Sequence, residues 1–106
     1  MIAGKQGARG RAFIKFIGVW KMTIKKAVRE FVSSTKKHSA KGFNYSIITN
    51  GKDYKVLEFY GNEDARLADG WSYVRIPDEI MFWITINTVN DTVAALLKAL
   101  AKEGIK

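Results

Sequence analysis

The chain has 106 residues and a mass of 11.9 kDa, enough for one domain with a hydrophobic core and little more. It has 47% hydrophobic and 26% charged residues, as globular proteins do; it lacks cysteine, which excludes disulfides, a thiol nucleophile and cysteine-held metal centres, and its single histidine excludes a histidine-rich metal site. The net charge of +8 is unevenly spread: residues 1–42 hold eleven Lys and Arg against Glu30 alone, a net +10, whereas residues 43–106 hold seven against nine acids, a net −2.

Residues 1–11, MIAGKQGARGR, mix glycines with Lys5, Arg9 and Arg11 and have no core pattern. They predict a flexible basic arm ahead of a single domain over residues 12–106. No secretory h-region follows and no apolar run nears the ~18 residues of a membrane span, so a cytoplasmic setting is expected. At 100° per residue Phe13, Phe16, Ile17, Trp20, Ile24, Ala27, Val28 and Phe31 share one face, opposite Lys15, Met22, Lys26 and Arg29. Gly18 interrupts this run and Thr23 suits an N-cap. The pattern therefore predicts a basic amphipathic helix over about 23–36, with 12–20 either extending it or forming a strand.

From Phe43 the period becomes two. Runs at 43–49 and 54–60 flank Asn50-Gly51, a strong hairpin signal. Runs at 71–76 and 80–86 flank Pro77-Asp78-Glu79 and predict a second hairpin, whose last strand, IMFWITI, is apolar on both faces. Val89, Val93, Leu96, Leu97 and Leu100 recur at helical spacing, with Thr88 and Asp91 resembling a capping box and Gly104 as a stop. The expected fold is α+β: a four-stranded antiparallel sheet of two hairpins, flanked by the basic N-terminal helix and a C-terminal helix packed on one face. Its predicted core is Ile24, Val28, Phe31, Ile47, Val56, Leu57, Val74, Phe82, Ile84, Val93, Leu96, Leu97 and Leu100.

Catalytic groups do not assemble in this sequence. His38 lies in a lysine-rich polar stretch that predicts a solvated or anion-contacting ring. Glu63, Asp64 and Asp69 read as a solvated acidic loop rather than a magnesium site. Asp53-Tyr54-Lys55 lacks the upstream acid a nuclease needs, and no phosphate-binding loop, dinucleotide fingerprint or serine elbow is present. No enzyme, cofactor or metal is expected.

The charge asymmetry points instead to a polyanion. The sequence predicts non-catalytic binding of DNA or RNA, largely indifferent to base sequence. The anchors would be Arg9, Arg11, Lys15, Lys21, Lys25, Lys26, Arg29, Lys36, Lys37 and Lys41. Tyr45, Tyr54, Tyr60, Trp71 and Tyr73 are candidates for base stacking or for a protein interface. The competing expectation is a protein-binding module or inhibitor acting through an aromatic-rich sheet face or the amphipathic helix that carries Trp20. A membrane surface is the less favoured partner, and a sheet edge offers a route to a homodimer.

Overall fold

The computed structural model describes residues 15–38, 41–60 and 67–105, with side chains from Met22 onward except those of Phe59 and Tyr60. The arm at 1–11 and Phe13 lie outside these residues. Strand β1 (Lys15–Met22) leads through Thr23 into helix α1 (Ile24–His38), followed by β2 (Phe43–Thr49) and β3 (Tyr54–Tyr60). Helices α2 (Asp78–Ile86) and α3 (Val89–Lys102) complete the order. The class is α+β.

Strand β3 lies between β1 and β2 and runs antiparallel to both. The outer strands are therefore parallel to each other, and α1 is the crossover of a split β-α-β unit. The β2–β3 hairpin follows from local chemistry. Asn50 Oδ1 accepts from the backbone N–H groups of Lys52 (2.9 Å) and Asp53 (2.7 Å). Gly51, at φ 93°, takes the left-handed conformation that side chains resist. That turn fixes the register from Thr49↔Tyr54 to Phe43↔Tyr60. A period of two then puts Tyr45, Ile47, Tyr54 and Val56 on the face beneath the helices, where they are buried. Ile48 and Leu57 take the other face, covered by Leu67, Trp71 and Tyr73.

The expected four-stranded sheet of two hairpins is not what forms. Three long strands make the sheet, and the anticipated third strand at 71–76 contributes only Ser72–Tyr73, paired beside Thr49 and Ile48. Val74 N–H still reaches Ile47 O at 2.8 Å before the chain turns away. The stretch 80–86 is helical. Pro77 is the N-cap of α2 and Asp78 and Glu79 occupy its first turn, a start that fits proline's fixed φ and the positive end of the helix dipole. The N-terminal run also divides: 15–22 is strand, and the basic helix begins at Ile24.

The main core joins Ala27, Val28, Phe31 and Val32 of α1 to Ile80 and Ile84 of α2, and to Val93, Leu96 and Leu100 of α3, above Ile47 and Val56. Ile24 and Leu97 are half-buried at its margin, and Leu57 is buried against the opposite sheet face. Phe82, assigned to the core on strand alternation, is 63% exposed. A helix buries i and i+4, here Ile80 and Ile84, whereas alternation would bury Phe82 with them.

Candidate nucleic-acid interface

Helix α1 buries Ala27, Val28, Phe31, Val32 and Thr35 and turns the remaining arc outward. On that arc Lys25, Lys26, Arg29, Lys36 and Lys37 are exposed, with half-buried Glu30 as the helix's one acid. Lys41, also exposed, continues the positive surface toward β2. Fifteen residues at 1.5 Å each give α1 a length of about 22 Å, the span of about six phosphates along one strand of a duplex.

The cations differ in their engagement. Among the described residues Lys25, Lys26, Lys37 and Lys41 make no side-chain hydrogen bond or ion pair. Arg29 Nη1 donates to Asn90 Oδ1 at 3.0 Å, and with Lys25 these two residues line a shallow groove of about 340 Å³ between α1 and α3. Lys36 does a structural job: its Nζ donates to Ile84 O (3.0 Å) and Asn87 O (2.9 Å), capping the C-terminal end of α2. Lys15 and Lys21 belong to β1, where their side chains are outside the described set; Arg9 and Arg11 lie wholly outside it. Six of the ten predicted anchors thus stand along α1 and its exit, and five of them, Lys25, Lys26, Arg29, Lys37 and Lys41, are not engaged at the end of α2.

The first turn of α1 is electrostatically unusual. Thr23 Oγ1 accepts from Lys26 N–H at 3.2 Å, so Lys26 holds the position that a capping box gives to Glu or Gln. Helix α3 shows the ordinary arrangement: Thr88 Oγ1 accepts from Asp91 N–H at 3.1 Å and an acid fills that position. In α1 two lysines and no acid sit at the positive end of the dipole.

The aromatic candidates separate as well. Tyr45 and Tyr54 are buried under the helices, so their ring faces are not available for stacking on bases. Trp71 and Tyr73 are half-buried on the opposite face of the sheet, where Lys55 Nζ lies 4.5 Å from the centre of the Trp71 ring. The Tyr60 side chain and the Trp20 side chain lie outside the described residues, so no continuous aromatic rail runs beside α1 among those that are described.

His38 is also more enclosed than its polar neighbours predict. It is half-buried, with its ring edge toward Phe43 and Nδ1 2.9 Å from the Tyr45 hydroxyl. Tyr45 Oη donates its one proton to Glu58 Oε2 at 2.6 Å, so His38 Nδ1 carries the hydrogen that Tyr45 accepts. The chain His38–Tyr45–Glu58 ties the end of α1 to β2 and β3. Sequence reasoning missed it, and also missed the Arg29–Asn90 contact, because each joins residues from different elements with no motif between them.

Comparison with known proteins found no family model, curated protein or solved structure that matches this chain. Among the described residues no group of three or more His, Asp or Glu is placed to hold a metal ion, and no helix is long and apolar enough to cross a membrane.

Proposed function

We propose that this protein binds nucleic acid without catalysis and largely without sequence preference, through the outward face of α1. The observation that carries this reading is the set of exposed, unengaged cations Lys25, Lys26 and Lys37, with Arg29 beside them and one acid on the helix. A helix selected for stability alone gains from acids in its first turn. Two lysines there are opposed by the dipole, and a phosphate beside them removes the opposition. The groove at Arg29 and Asn90 adds one guanidinium and one amide, both able to donate to a phosphate oxygen. The surface offers point charges along a line rather than a base-reading motif, which supports binding indifferent to sequence.

The test is fluorescence anisotropy with single- and double-stranded DNA and RNA, comparing the full chain with Lys25→Ala/Lys26→Ala/Lys37→Ala and with the control Lys98→Ala/Lys102→Ala on α3. The α1 variant is expected to lose at least tenfold in affinity at low salt on every oligonucleotide, and the α3 variant little. Equal losses in both would mean bulk charge rather than the α1 face. No binding by the full chain at low salt would end the proposal.

A further inference from the structure

Helix α2 leaves a large apolar surface uncovered. Phe82 is 63% exposed, Ile86 61%, Trp83 42% and Met81 40%, while Ile80 and Ile84 hold the helix to the core. We propose that α2 is a self-association surface, on which a second copy of this chain docks with its own α2 antiparallel to the first. This inference stands apart from the nucleic-acid reading and uses none of its residues in the α1 first turn.

Two observations select a second copy as the occupant. The first is area: Phe82 and Ile86 on the outward arc, with Met81 and Trp83 on its two flanks, expose on the order of 400 Å² per molecule, about half of the ~800 Å² per partner of a standard interface. The second is charge. The N-terminal end of α2 carries exposed Asp78 and Glu79, and its C-terminal end carries the Lys36 ammonium, held there by Ile84 O and Asn87 O. An ammonium has three protons, and these two carbonyls take two of them.

A two-fold axis through the middle of α2 brings the acidic end of each helix to the basic end of the other. The helix is nine residues, about 13.5 Å, and Phe82 is its midpoint and its most exposed large apolar side chain. On that axis Phe82 meets Phe82 of the partner subunit, and Asp78 and Glu79 lie at the end of the partner subunit's α2 that the partner's Lys36 caps. The helix dipoles oppose each other as well. The arrangement is self-complementary, as an isologous interface must be. An anionic lipid surface fits less well, because Asp78 and Glu79 share the exposed arc with Phe82 and Ile86.

Sedimentation velocity of the full chain across the micromolar range tests this. The expected result is a concentration-dependent dimer that Phe82→Glu converts to a monomer, with unchanged far-ultraviolet circular dichroism because Phe82 contributes little to the core. Glu79→Lys should weaken dimerisation several-fold. Because the chain has no cysteine, Phe82→Cys should cross-link into a dimer on oxidation, whereas Lys52→Cys at the hairpin tip should not. A wild-type monomer at every concentration, or a dimer that survives Phe82→Glu, overturns the proposal. So does wild-type binding to phosphatidylglycerol vesicles through Phe82 without self-association.

Discussion

Lys26 sits where its own helix would prefer a carboxylate. Thr23-Ile24-Lys25-Lys26 starts α1 with a side-chain cap, yet the reciprocal acid of the box is a lysine. The Lys26→Glu variant should therefore stabilise the protein by about 0.5–1 kcal/mol, read as a rise of a few degrees in melting temperature, and weaken nucleic-acid binding at the same time. Loss of stability, or unchanged binding, would count against the role given to this turn. Tyr45 makes the converse case. Tyr45→Phe removes the hydroxyl that joins His38 to Glu58 and leaves both short of a partner, so denaturant unfolding should show a loss of about 1–3 kcal/mol. Binding should be unaffected at temperatures where the variant is folded. What the sequence displayed at this scale was local: Thr23, Asn50, Thr88 and Gly104 each act within a few residues of chain, as their types predict. Tyr45 was misassigned to a binding surface because its partners lie 7 and 13 residues away on other elements.

Among elements, α1, α3 and the β2–β3 hairpin were legible because their periods are clean and their ends are marked. The stretch 78–86 was not. Ile-Met-Phe-Trp-Ile-Thr-Ile has the β-branched and aromatic composition of a strand, and Pro77-Asp78-Glu79 suits either a turn or a helix start. Tertiary contacts decide: Ile80 and Ile84 reach the core one helical turn apart, and Lys36 from α1 satisfies the carbonyls at the far end. Ile84→Ala should cost about 2–5 kcal/mol and Phe82→Ala under about 0.5, measured by urea denaturation. Strand packing would exact a core-sized cost at both. Lys36→Met should cost about 1 kcal/mol through its cap on α2, which separates its structural work from any contact with phosphate.

At the scale of the molecule, the described part of the sequence's charge split is a cationic face on α1 and its exit, with Lys36 engaged at the end of α2. Linear charge counting sees the excess of cations but not which of them end in solvent, because that depends on which arc of α1 the core takes. The central claim is that Lys25, Lys26, Arg29, Lys37 and Lys41 neutralise phosphates together, and the most direct measurement is the dependence of binding on salt. Five contacts predict a slope of log K against log salt of about −3.5 to −4.5, the lower figure for single strands and the higher for duplex. In the Lys25→Ala/Lys26→Ala/Lys37→Ala variant three contacts are gone, and the slope should become shallower by about 2 to 3. A slope near zero in the full chain, or the same slope in both proteins, would contradict the account.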